Sequence, residues 1–411
     1  MKKVFILFAL LLSCSLITKA ADLLVNETGS GGYTAISEAL TAAVDGDRIF
    51  IEPKSGGAPY IEALTITKSV QLLSNIEGGL YKLQGNISIA TSTPKEIAII
   101  GVDIIGSISS PNDASASSRT IVKVLYSNVL GNINFNKNHY DITVANCTVT
   151  DGYVAIRSGR IIGNDISISN DDAIFVLDET NTAPTVSDTI QIIGNRISCT
   201  STSDYAINVD ADDYFYQINN NYIIYRLRGI NILDWNNNVV GTNEINNNTF
   251  KRNSYSATNY AMYLGNLQAG GALNIYNNLF DGINESTAYG IRFSSMNGTH
   301  NVSYNYFDDG FDQFLWVVTN DGTNLENQTF TIDAVTGEPT SGTYVDLGHP
   351  DLIYYDHDLT RNNLGCFGGS NSMDNYFITG DANNNRVYLI NMPKSVFTGA
   401  PIRVEAESFD K

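Results

Sequence analysis

Three aspartates stand at matching places after short, similar stretches. Asp178 follows Ala173-Ile-Phe-Val176, Asp210 follows Ala206-Ile-Asn-Val209 and Asp234 follows Gly229-Ile-Asn-Ile232, each four or five residues beyond the small residue that opens its stretch. Carboxylates stacked one strand apart repel by ~1 kcal/mol per pair in water, and more when desolvated. A calcium ion, which takes roughly six to eight oxygen ligands, would offset that repulsion. Asp212 and Asp213 lie beside Asp210, and Asp171 and Asp172 just ahead of Asp178. The expectation is therefore a calcium site built from Asp178, Asp210, Asp234, Asp212 and Asp213. The competing reading is that aspartate simply ends strands in water.

A second set of candidates comes from side-chain direction. If Ile207 and Val209 point inward, the residue between them points out. Across the equivalent stretches that outward position holds Phe175, Asn208, Asn231, Tyr263 and Arg292, and one residue ahead of each small residue stand Asp172, Tyr205, Arg228, Tyr260 and Tyr289. Rings stack on sugar faces, amides meet hydroxyls, and guanidinium forks meet carboxylates. The row predicts a saccharide-binding groove, against ordinary cross-strand stacking on a sheet surface. His139, His300, His349 and His357 share no ligand spacing and read as exposed loop residues.

These residues need a frame that repeats, and the sequence supplies one. A six-residue pattern recurs as Ile161-Ile-Gly-Asn164-Asp-Ile166, Ile192-Ile-Gly-Asn195-Arg-Ile197, Ile218-Asn-Asn-Asn221-Tyr-Ile223, Ile245-Asn-Asn-Asn248-Thr-Phe250, Ile275-Tyr-Asn-Asn278-Leu-Phe280 and Val302-Ser-Tyr-Asn305-Tyr-Phe307. Successive asparagines are 26 to 31 residues apart. Val144-Ala-Asn-Cys147-Thr-Val149 is an earlier copy with Cys in the Asn slot. Strands this short become stable only when successive coils stack, so the pattern predicts an all-β solenoid. An α solenoid would need apolar residues at 3.6 spacing, which the Asn-rich breaks interrupt. The slot Asn is expected at a sharp turn, tolerating a left-handed backbone, with its amide laddered on the next coil. Ala35, Ile36, Ala39, Leu40, Ala43 and Val44 recur at helical spacing and predict a short helix over the open end of the coil.

The chain has 411 residues, a formal charge of -19, and 16% charged residues. That acidity argues against binding nucleic acid through its phosphates. Lys2 and Lys3, the apolar run Val4 to Leu12 and small residues near Ala20 form a secretory signal. Cleavage after Ala20 removes three lysines and no acid, leaving a charge of -22. Leu11-Leu12-Ser13-Cys14 resembles a lipobox, so the second reading is a lipid anchor at Cys14. No later stretch approaches the ~18 unbroken apolar residues of a membrane helix. The expected location is extracellular or periplasmic, as a monomer. Cys147, Cys199 and Cys366 are widely spaced and read as small core residues.

The repeat resembles the right-handed parallel β-helix of the pectate lyase-like superfamily, over roughly residues 60 to 320. Gly31-Gly32-Tyr33 through Asp45-Gly46-Asp47 and Tyr60-Ile-Glu62 is similar to the opening of secreted β-helix proteins such as pectin methylesterases, and Leu364-Gly-Cys-Phe-Gly-Gly369 to the segment that closes many bacterial ones. The organisation expected is a signal (1–20), an N-terminal cap with the first strands (21–60), coils (61–320), a closing segment (321–370) and a tail with strand pattern (371–411). The pectin methylesterase strings are absent, and only Asn170-Asp171-Asp172 resembles the polygalacturonase aspartate pair. If the chain is an enzyme, the resemblance favours a polysaccharide lyase over a glycoside hydrolase. Arg228 or Arg292 would then be the base beside a calcium-bound uronate. The functional expectation is binding or processing of an extracellular, uronate-containing polysaccharide; the alternative is a non-catalytic adhesion or structural protein.

Overall fold

A computed structural model describes residues 20–76, 79–115, 117–178, 189–211, 214–233, 242–253, 258–265, 271–283, 288–294, 298–308, 322–377, 386–391 and 405–409. The chain winds into a right-handed parallel β-helix whose coils contribute to three parallel sheets. Sheet A has 12 strands, from Asp22–Val25 to Thr299–Ser303; sheet B has 11, from Tyr60–Ile61 to Tyr306–Phe307; sheet C has 10, from Leu64–Ile66 to Ala288–Phe293. Stacking starts at Asp22, where Asp22–Val25 pairs in parallel with Asp47–Ile51.

The six-residue copies superpose coil upon coil. Val144, Ile161, Ile192, Ile218, Ile245, Ile275 and Val302 pair in sequence on sheet A, and Val149, Ile166, Ile197, Ile223, Phe250, Phe280 and Phe307 on sheet B. All are buried, and each such side chain contributes ~1.5–3 kcal/mol by leaving water. Between the two sheets runs the amide ladder. The Nδ2 of Asn164 donates to Asn195 Oδ1 at 2.9 Å, and the chain continues through Asn221, Asn248, Asn278, Asn305 and Asn324 at 2.9 to 3.0 Å. Each Oδ1 also accepts the backbone N–H of the preceding slot, which satisfies the groups a tight corner would orphan. Cys147 holds the slot ahead of Asn164, its Sγ on Val124 O at 3.3 Å.

One expectation is corrected here. The left-handed backbone falls not on the slot but one residue earlier, at Gly163, Gly194, Asn220, Asn247, Asn277 and Tyr304. The slot Asn is free to face inward because its neighbour makes the turn.

Sheet B also bears on two of the small residues that open the sheet C stretches. Phe250, Phe280 and Phe307 form a stack inside the coil, with ring centroids 5.0 and 4.5 Å apart and nearly parallel planes. A Cβ at Gly290 would lie 2.8 Å from the Phe307 ring, and one at Gly229 2.5 Å from Ala261 O and 2.9 Å from the Phe250 ring, so ring and backbone together crowd out a side chain at these two positions.

The helix Ile36–Ala42 caps the first coils, with Ile36, Ala39 and Leu40 buried. Charged groups from the coils hold both its ends. Glu62 accepts from the N–H groups of Ile36 and Ser37 at 2.8 and 3.0 Å, while Lys68 Nζ donates to the carbonyls of Leu40, Thr41 and Ala43. These signs suit the helix termini.

Residues 322–328 lay one more turn on the last coil, where Asn324 ends the ladder and Leu325 bridges in parallel to Tyr306, and the chain then leaves the end of the coil. Residues 329–377 run as a strap along its flank, covering the outer face of sheet B with Phe330, Ile332, Leu364, Cys366 and Met373 against Tyr222, Leu279 and Tyr306. The left-handed asparagines grip it: Asn247 Nδ2 donates to Asn362 Oδ1 at 2.8 Å, and Asn277 Oδ1 accepts from His349 N at 2.7 Å. Tyr376 lies on Gly194, where a Cβ would sit 2.2 Å from its ring. In the tail, Arg386–Asn391 pairs antiparallel with Glu405–Phe409, which contains Ala406; Ile402 and Val404 lie outside the described residues.

Candidate functional site: a tyrosine and arginine wall on sheet C

The outward row is in register. Phe175 pairs with Asn208, Asn208 with Asn231, Asn231 with Tyr263, and Tyr263 with Arg292. The neighbouring row Tyr205, Arg228, Tyr260 and Tyr289 pairs likewise. Both rows reach one outer face because the alternation slips: Ala206 and Ile207 are consecutive and both fully buried. Tyr205 therefore emerges on the same side as Asn208.

The side chains interlock. Asp172 Oδ1 accepts from Tyr205 N at 2.7 Å, and its Oδ2 accepts from Asn208 Nδ2 at 2.7 Å. Asn208 Oδ1 accepts from Asn231 Nδ2 at 2.8 Å, and Asn231 Oδ1 accepts from Arg228 Nη1. An ionised carboxylate can only accept and a guanidinium can only donate, so the two ends fix the orientation of both amides between them. The Arg228 guanidinium lies over the rings of Tyr263 at 4.1 Å, Tyr205 at 4.9 Å and Tyr260 at 5.9 Å. Arg292 lies over Tyr260 and Tyr263 at 5.1 and 5.2 Å and donates Nη1 to the Tyr260 hydroxyl. Tyr260 stacks on Tyr289 with centroids 5.4 Å apart. Contacts of this kind are worth ~0.5–2 kcal/mol each.

Exposure divides the roles. Asn231 is 2% and Tyr260 7% exposed, so these two brace the arginines from beneath instead of meeting a ligand. Phe175, Tyr205, Asn208, Arg228, Tyr263, Tyr289 and Arg292 remain partly open. Among the described residues neither guanidinium has a carboxylate within ion-pairing distance, and the Nε of each is buried without a partner. Both arginines are held as donors, a posture suited to meeting a carboxylate. Burial pushes the Asp172 carboxyl above its ordinary range, against the hydrogen bonds from Tyr205 and Asn208, and the charges of Asp204 and Asp171 push the same way. Sequence reasoning placed Asp172 in its row without a role; its link to Asn208 crosses coils and needed the register to be seen.

The aspartate ladder does not form as drawn. Asp210 pairs with Leu177 and not with Asp178, so these two carboxylates occupy different positions of successive coils. Asp234, Asp212 and Asp213 lie outside the described residues. Among the described residues no three His, Cys, Asp or Glu side chains converge as a metal site.

The histidines depart from the expectation of exposed loops. His139 is 2% exposed. His349 sits among Tyr276, Tyr304 and Tyr354, with ring centroids 4.8 to 4.9 Å away. His300 packs on Phe293, and His357 is exposed. The three cysteines are buried and unpaired, as expected, and burial pushes the Cys147 and Cys366 thiols up to about 12.

No protein-family model matches the sequence, and no curated protein matches it. Among solved structures, the chain is similar to the crystal structure of pectate lyase Pel9A, with a TM-score of 0.45 and 14% identity over 85% of this chain and 97% of that one. The fold itself is defined by the three parallel sheets and the register of their coils: a right-handed parallel β-helix. No helix of the described residues is long and apolar enough to cross a membrane.

Proposed function

We propose that this protein is exported and binds an extracellular polysaccharide that carries uronate carboxylates, along the outer face of sheet C. The observation that carries the reading is the pair of tyrosine-braced guanidinium groups, which have no carboxylate partner among the described residues, on an otherwise strongly acidic chain. Each guanidinium is partly exposed and spends one Nη1 hydrogen bond within the wall, which leaves other N–H groups for a carboxylate. Tyr205, Tyr263 and Tyr289 offer ring faces to sugars, and Asn208 keeps one amide hydrogen and one lone pair for a hydroxyl.

Titration calorimetry with oligogalacturonate tests this. Saturable binding is expected, lowered about tenfold or more by Arg228→Ala or Arg292→Ala, since a hydrogen bond to a charged group is worth ~1.5–3 kcal/mol. A neutral oligohexose of equal length should bind more weakly than the uronate. The guanidinium groups supply the positive charge, so a chelator should leave the affinity unchanged. The lyase reading is checked in the same samples by absorbance of unsaturated products, and none is expected, because both arginines are engaged as donors. Absence of saturable binding would leave the structural or adhesion role standing instead.

A further inference from the structure

The wall is electrically uneven along the axis of the coil. At one end Asp172 lies with Asp171 and Asp204 close enough to raise its affinity for a proton, and the Cys199 thiol, pushed up by burial, lies beside them. Two coils further on Arg228, and four coils further on Arg292, flank the Tyr263 ring. Coil by coil, the strands Ile174–Leu177, Tyr205–Asp210, Arg228–Ile232, Asn259–Leu264 and Ala288–Phe293 follow one another in sheet C, so the acidic and basic ends are joined through Asn208 and Asn231.

Coils rise ~4.8 Å each, comparable with the length of one pyranose unit. A saccharide lying along the row therefore sets about one sugar on each coil. A carboxylate over Arg228 or Arg292 is attracted. One carried by a sugar over Asn208 or Phe175 faces Asp172 at short range, in a surface already excluding part of its water, where like charges repel most.

The geometry points to a ligand of mixed composition: a uronate at the arginine end followed by a neutral sugar at the Asp172 end, so that Asp172 is a specificity-determining residue against runs of consecutive uronates. This deepens the polysaccharide reading and rests on it. The neutral sugar gains something in return, because both oxygens of Asp172 and the Asn208 amide are oriented acceptors and donors for hydroxyl groups.

Two defined tetrasaccharides separate the possibilities, one all-uronate and one alternating uronate with neutral hexose. Calorimetry on the full-length protein near neutral pH should find the alternating ligand bound about fivefold or more tightly than the all-uronate one. Asp172→Asn should improve all-uronate binding and bring the two affinities within about twofold. Asp171→Asn, at an exposed position, should shift the ratio the same way but less, and serves if Asp172→Asn fails to fold. Equal or stronger wild-type binding of the all-uronate ligand overturns the inference, as does an unchanged ratio in both variants. If neither ligand binds, or if Arg228→Ala weakens neither, it is the polysaccharide reading that falls.

Discussion

Asn248 uses the whole capacity of its amide. Its Nδ2 donates to Asn278 Oδ1 at 3.0 Å and to Ile218 O at 2.7 Å, and its Oδ1 accepts from both the backbone and side-chain nitrogens of Asn221 at 3.0 Å. Replacing it with Leu strands partners on both neighbouring coils in a fully buried corner. At ~1–3 kcal/mol for each buried group left unsatisfied, Asn248→Leu should destabilise by about 3 kcal/mol or more. Denaturant unfolding measures this, and a loss below about 1 kcal/mol would mean that the corner relaxes around the change. The slot was legible because its residue type and its flanking aliphatic positions recur together. Asn324 makes the same bond to Asn305 but was not found from sequence, since Asp321 and Glu326 stand where the pattern asks for apolar residues. The turn residue was assigned one place too late, because at Asn220, Asn247 and Asn277 the left-handed residue and the slot are both asparagine. At the candidate site, the row of Phe175, Asn208, Asn231, Tyr263 and Arg292 could be read from spacing alone. The burial of Asn231 and Tyr260 could not, since it depends on how the arginines fold over them.

Among the elements, the coils and the capping helix were visible through their periodicity, whereas the strap was not. Its hold on the coils comes from turn asparagines, carbonyls and scattered rings, none of which repeats. His349 shows what holds the strap and what would loosen it. Its backbone N–H is bound by Asn277, its Nδ1 accepts from Asp351 N at 3.2 Å, and its ring lies within the three tyrosines. Burial is the main cause holding its pKa below the usual 6.5; Arg361 adds to the depression and Asp351 opposes it. The unfolded chain therefore binds the proton more readily, so stability through this group is present above pH 6.5 and is lost as pH falls through the depressed folded value. Between about pH 7.5 and about pH 5.5 the wild type should lose melting temperature, and His349→Phe should show a shallower decline. Hydrogen exchange should report the loss first in residues 344–377; a uniform loss over all coils would contradict a local origin.

At the scale of the whole molecule, the excess of acidic over basic residues should oppose compactness while the arginine wall attracts anions. Raising salt from about 0.1 M to about 1 M shortens the screening length from ~10 to ~3 Å. One variable should then move two observables in opposite directions, raising the melting temperature and weakening binding of an acidic saccharide. Movement of both in the same direction would separate the proposed site from its electrostatic argument. The stacking of the coils also bears on how such a gene can change. Each coil offers its neighbours nearly the same two surfaces, so an unequal crossover that duplicates one repeat, such as the 27-residue step between Asn221 and Asn248, yields a chain that still stacks. The strap is what counts coils, since its grips at Asn220, Asn247 and Asn277 and at Gly163 and Gly194 are set at fixed separations. Beneath the strap an added repeat would pull those grips out of step. Ahead of Ile100, where none of these grips falls, an added coil would leave the strap's contacts in step.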